Sequence, residues 1–247
     1  MRPVTCRGLP ISLLDPVFAT YLSLSKKTLP DTPGAHAALH AARQLCDTMG
    51  NHFDSERARR HSFLEATRSL FSQWTTVKES MSQGVAAYTR TDTAISVDGT
   101  SMVLIEMKNG KTGGEVYMQA CRGYEITTEE LVEKNPMFLE QGAPTFLLCL
   151  NGESGPSSNR RWIADTIHAD EELRIAGAFK DGQQVVVEPL SLLLLYPDSR
   201  VEDGRRIQLA QHLYALHSCL VTIASKITRC VILNPSCCSF SILKGSA

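Results

Sequence analysis

Glu106 and Lys108 stand two apart in the run Met102-Val103-Leu104-Ile105-Glu106-Met107-Lys108, and Asp92 precedes them across the dipeptide Asp98-Gly99. Residues i and i+2 of a strand leave the same face, so Glu106 and Lys108 emerge side by side. Two carboxylates a few ångströms apart repel each other, and a divalent cation between them keeps both ionised. Asp92 and Glu106 are therefore candidate ligands of Mg²⁺. Such an ion polarises a phosphoryl oxygen and lowers the pKa of a bound water, while the Lys108 ammonium steers that water or offsets charge growing on the phosphate. The chemistry pointed to is phosphodiester hydrolysis. An exposed strand can carry the same Glu-x-Lys triplet with no function. What sets this triplet apart is its place: it ends an apolar strand, follows an Asp-bearing hairpin, and precedes the breaks Asn109-Gly110 and Gly113-Gly114 and then a helix.

Asp-Gly between two β-rich runs is a strong hairpin signal. A three-residue loop, Asp98 to Thr100, pairs Val97 with Ser101 and sets Asp92 opposite Glu106. A two-residue loop slips the register by one and turns Asp92 to the other face.

The elements around this hairpin follow from periodicity. Residues 1–35 hold Pro3, Pro10, Pro16, Pro30 and Pro33, which predicts an irregular lead-in with one short helix over Val17 to Ser25. A helix over Ala35 to Met49 carries Ala38, Leu39, Ala42, Leu45 and Cys46 on one stripe. A second, from Asp54 or Ser55 to Ser72, turns Phe63, Leu64, Thr67, Leu70 and Phe71 inward and Glu56, Arg57, Arg59, Arg60 and Arg68 outward. Strands are predicted at Thr91 to Val97 and Ser101 to Lys108. A helix at Glu115 to Tyr124 and another opened by the capping box Thr127-Thr128-Glu129-Glu130 follow. Pro144 to Leu150 reads as a buried strand, and Leu173 to Phe179 and Gln184 to Val187 flank a second Asp-Gly hairpin. An amphipathic helix, Gly204 to Ile227, carries Leu209, His212, Leu213, Leu216 and Leu220 on one stripe. Strands interleaved with helices imply an α/β fold with a mixed sheet.

Composition narrows the function. The 247 residues hold 25 Lys plus Arg against 26 Asp plus Glu, a formal net charge of -1. That excludes a disordered tail or a histone-like basic protein. DNA binding, if present, must come from a local groove near Lys108, Lys111 and Arg122. Eight cysteines include no CxxC pair, so neither a zinc site nor a disulfide framework is expected. No run is apolar enough to span a bilayer. Met1 to Lys27 is interrupted by Pro10, Asp15 and Pro16 before a signal-like apolar region forms, and a cytoplasmic or nuclear protein is expected. Asn109 to Gly114 lacks the first glycine of a Walker A loop, and Gly152-Glu153-Ser154-Gly155 is not a nucleophile elbow because Pro156 stands where glycine is needed.

Arg90-Thr91-Asp92, the hairpin, Val103 to Lys108 and the following helix with Gln119 and Tyr124 resemble the PD-(D/E)xK restriction-endonuclease-like superfamily. More narrowly, Val103 to Gly152, with LIEMKNGKTGGEVYMQACRGYEI and EKNPMFLEQGAPTFLLCLNG, is similar to the nuclease-like module of fungal Crinkler-type proteins, which often stands before a fungal-type protein kinase domain. The resemblance implies a restriction-endonuclease-like mixed sheet flanked by helices, Asp92 and Glu106 as ligands of Mg²⁺, Lys108 as the catalytic lysine, and Gln119 as the helix residue that steadies the site. Glu79 is the candidate for a further acidic residue from a preceding helix. The spacing from Gln119 to Tyr124 is one residue longer than in RecB-like members. The kinase signatures are missing: no HRD loop, no DFG and no GxGxxG. The expected organisation is a lead-in over 1–35, a helical extension over 36–76, a nuclease-like domain over 77–227 and a divergent tail over 228–247. The expected activity is Mg²⁺-dependent hydrolysis of DNA. The alternative is an inactive regulatory or interaction module of a Crinkler-type kinase protein, here without its kinase.

Overall fold

A computed structural model describes residues 9–49, 53–78, 93–109, 113–134, 142, 144–152, 172–181, 184–195 and 202–233. Six strands form one sheet in chain order: β1 (Thr75–Lys78), β2 (Thr93–Val97), β3 (Thr100–Asn109), β4 (Thr145–Gly152), β5 (Glu172–Asp181) and β6 (Gln184–Leu194). All neighbours are antiparallel except β3 and β4. That parallel pair needs a crossover, and helix α6 (Gly113–Lys134) supplies it. The α/β fold with a mixed sheet flanked by helices is as expected; β1 was not foreseen.

The β2–β3 turn combines both alternatives left by the sequence. Asp98 and Gly99 have φ of 47° and 75°, the pair of positive values that a two-residue type I′ turn requires. Val97 accordingly pairs with Thr100 and Ser96 with Ser101. A bulge then leaves Met102 as the extra residue, so that Ile95 meets Val103, Ala94 meets Leu104 and Thr93 meets Ile105. Beyond the bulge the register is the one expected from the longer loop. Thr93↔Ile105 is the last described pair, and Asp92 lies outside the described residues, as do Glu79 and Lys111.

Strand alternation divides the core in two. One face carries Val103, Ile105, Met107, Phe146, Leu148 and Leu150. Against it pack α1 (Ile11–Leu14), α2 (Pro16–Leu24), α3 (Pro33–Met49), α4 (Glu56–Ala66), α5 (Arg68–Phe71) and α7 (Glu202–Leu233). The other face, with Leu104, Leu147, Cys149, Ala176 and Ala178, is covered by Val116, Ala120 and Tyr124 of α6.

Local chemistry explains where several elements differ from the sequence expectation. The lead-in is not irregular over 11–24: Asp15 caps α2 by accepting from the Val17 amide at 2.8 Å, and Pro16 opens it. Ile11, Phe18 and Tyr21 are fully buried, so this segment and the expected helical extension share one core with the sheet. A side chain at Gly177 would place its Cβ 2.6 Å from the Phe18 ring, which is why that strand position is glycine. The helix expected over 55–72 is capped by Ser55 and breaks at Thr67, whose hydroxyl donates to the Phe63 carbonyl at 2.8 Å. Thr127-Thr128 does not start a helix: Thr128 donates to the Tyr124 carbonyl at 2.6 Å inside a continuous α6. Leu39 lies on the surface instead of on the buried stripe. Helix α7 runs on to Leu233, six residues past the expected end at Ile227 and into the expected tail; residues 234–247 lie outside the described residues. Among the described residues, no helix is long and apolar enough to cross a membrane.

Candidate active site at the carboxyl end of the parallel strands

On the α6 face, side chains align in rows across β3, β4 and β5. Leu104, Leu147 and Ala176 form an apolar row; Glu106, Cys149 and Arg174 form the next; Lys108, Asn151 and Glu172 form the last. The face thus turns from apolar to charged toward the carboxyl ends of β3 and β4. In open α/β sheets, ligands bind outside those ends.

Glu106 is 2% exposed. A carboxylate so buried needs partners, and Lys108 Nζ lies 3.7 Å from Glu106 Oε1. The same ammonium lies 3.5 Å from Glu56 Oε2, on the first turn of α4. Lys108 therefore bridges the carboxylate of its own strand and that of Glu56, 52 residues before it in the chain.

Arg59 explains how α4 reaches this place. The periodicity turned it outward, yet it is 1% exposed. Its guanidinium lies 5.2 Å from the centre of the Phe53 ring and above Gly152, where a Cβ would stand 1.4 Å from Nη1. Gly152 pairs with Asn109 at the end of the parallel ladder. The guanidinium thus occupies the space that the missing side chain leaves, and it pins α4 to the strand ends with Glu56 one turn away on the same helix face.

Gln119 is half-buried on α6, and its carboxamide oxygen is shielded from solvent with no hydrogen-bond partner among the described residues; the same holds for Asn151 Oδ1. Arg122, expected to line a DNA groove, is exposed and paired with Glu125 on α6. The structure does not bring it to Glu106 and Lys108. Cys149, next to Glu106 in its row, has its thiol pushed well above the usual range, chiefly by burial and further by Cys121 and the Glu106 carboxylate. Burial likewise raises the Tyr117 phenol, whose ring lies under Arg174.

The donors suit a hard cation better than a soft one: Glu106 and Glu56 offer carboxylate oxygens, and Gln119 and Asn151 offer amide oxygens that have no hydrogen-bond partner among the described residues. Among the described residues, no three His, Cys, Asp or Glu side chains gather as a complete metal cage. Sequence reasoning named Glu106, Lys108 and Gln119 but missed Glu56, Arg59, Asn151 and Arg174. The only sequence signal for these was position: Asn151 and Gly152 follow a buried strand, where site residues of α/β proteins gather. No family model matches the chain, and no curated protein or solved structure matches it either.

Proposed function

We propose that this chain is a Mg²⁺-dependent phosphodiesterase of restriction-endonuclease-like fold that acts on DNA. The observation that carries the reading is the Lys108 ammonium held between the buried Glu106 and the partly exposed Glu56 where the parallel strands end. A parallel pair inside a mixed sheet, joined by a crossover helix over the same face, supports the fold. Glu106 and Asp92 hold the ion, Asp92 standing next in sequence to the last described β2 residue, Thr93. Bound Mg²⁺ supplies Lewis-acid polarisation of the phosphoryl oxygen and a water of lowered pKa. Glu106 and Glu56 hold the Lys108 ammonium in place, so that it donates to the attacking water or to a phosphate oxygen. Gln119 steadies the site from α6 with an amide oxygen that has no hydrogen-bond partner among the described residues. Lys111, outside the described residues, is the further basic group expected to face DNA, whereas Arg122 is paired with Glu125 and not brought to Glu106 and Lys108.

Calorimetric titration of Mg²⁺ into the folded protein tests the ion's place. Binding in the millimolar range is expected for the wild type and for Lys108→Ala, and it is lost in Glu106→Gln. A folded wild type that takes up no Mg²⁺ favours the second reading, an inactive regulatory or interaction module, to which the net charge of -1 also points.

A further inference from the structure

The charged end of the α6 face extends one strand past Glu106 and Lys108. Val116, Cys149, Asn151, Glu172 and Arg174 line a narrow cleft of about 10 Å³ there, close to the room that one water or one anionic oxygen needs. The Arg174 guanidinium lies 5.5 Å over the Tyr117 ring, a contact that fixes its plane and leaves its edge open. Its ion pair with Glu172 is long, 3.9 Å, and it makes no hydrogen bond among the described residues. A guanidinium carries five donors in a fixed fork that matches phosphate oxygens. Beside it stands Asn151, whose buried amide oxygen has no partner among the described residues; a phosphate is met by its amide nitrogen, the donor end, with the carboxamide turned end for end. Cys149 adds no charge to the cleft, because burial holds its thiol protonated.

We propose that Arg174, with Asn151 beside it, forms a phosphate-binding subsite that takes a neighbouring phosphodiester of the strand cleaved at Glu106 and Lys108. The subsite rests on the nuclease reading for its substrate, since the shared rows of the sheet tie it to that pair. Two strand spacings separate Arg174 from Glu106, about 10 Å, which suits a contact further along the same nucleic-acid backbone. Arg174 is a binding residue here and takes no part in proton transfer.

The test is the affinity of a short fluorescein-labelled DNA duplex, measured by anisotropy with Ca²⁺ in place of Mg²⁺, over a range of salt. Arg174→Ala should weaken binding about tenfold and reduce the slope of log affinity against log salt by about 1. Arg174→Lys should recover the slope without the full affinity, because an ammonium keeps the charge and loses the fork. Asn151→Ala should weaken binding and leave the slope unchanged. If Arg174→Ala does not fold, Arg174→Gln and Arg174→Lys, whose stems still cover Tyr117, make the same comparison. Wild-type affinity and slope in Arg174→Ala or Arg174→Gln would overturn the subsite, as would a folded wild type that binds no DNA. If plasmid is cut in a Lys108-dependent way while binding ignores Arg174, the subsite fails and the nuclease reading stands. If nothing is cut while binding depends on Arg174, the subsite stands and the catalytic role of Lys108 fails.

Discussion

The two faces of the sheet are built from different side chains. Under α1–α5 and α7 the core is large and aromatic: Phe18 and Tyr21 each lie 5.4 Å, ring to ring, from Phe146, which sits at the centre of the contact. Under α6 it is smaller: Ala94, Ala120, Ala176, Ala178 and Cys149 lie among Leu104, Leu147 and Val116, with Tyr124 as its one fully buried ring among the described residues. Large side chains fill the space between layers and carry most of the transfer free energy. Small ones let one helix sit close, and where α6 begins the strands end in Glu106, Lys108, Asn151 and Arg174. The larger share of buried ring area thus lies on one face, and Glu106, Lys108, Asn151 and Arg174 lie on the other.

The largest test of this division is a pair of substitutions read by urea unfolding. Phe146→Ala should cost about 3–5 kcal/mol, as deletion of a buried ring does. Ala178→Gly, on the α6 face, should cost about 0.5–1 kcal/mol, the strand penalty of glycine. Equal losses would break the comparison. Next in size is Gly152→Ala, on the same face as Phe146, where Arg59 of α4 lies over the end of β4. The new methyl would displace a guanidinium now 1.4 Å from its position, and a loss of about 1–3 kcal/mol is expected. In an Arg59→Ala background the same change should cost clearly less, and a double-mutant cycle by urea unfolding measures that coupling.

The smallest effect concerns pH. On the aromatic face, His212 Nδ1 lies 2.9 Å from the Tyr21 hydroxyl and 3.0 Å from that of Ser191, and burial lowers the His212 pKa below its ordinary 6.5. The unfolded chain then binds the proton at higher pH than the folded one. This group's contribution is complete above the unfolded pKa and is lost as pH falls through the folded one. Burial lowers His217 in the same direction. Melting temperature should therefore drop between neutral and mildly acidic pH, and His212→Gln should flatten that drop in part. An unchanged pH profile in His212→Gln would remove this group from the account.

Much of the fold was legible because it follows from local pattern. Asp98-Gly99 dictates its own turn, the apolar run Phe146 to Leu150 its buried strand, and the stripe of α3 its helix. What escaped depends on distant partners. Arg59 reads as a solvated helix residue until Gly152, far along the chain, leaves a gap for it; Glu56 reads the same way until Lys108 meets it. The capping box at Thr127 was overridden because Thr128 satisfies the Tyr124 carbonyl inside a helix that packs on the sheet. The bulge at Met102 escaped because it is set by pairing between strands and not by the turn. Of the site, the Glu106 and Lys108 pair was legible from strand alternation alone, whereas the residues across β4 and β5 appear only once the register is known.

The central claim is that Lys108, held by Glu106 and Glu56, performs phosphodiester hydrolysis. Supercoiled plasmid incubated with the protein and Mg²⁺ tests it most directly. The account predicts nicked circles from the wild type and none from a Lys108→Ala variant with an unchanged circular-dichroism spectrum. Equal nicking by that variant, or none by the folded wild type, would contradict it.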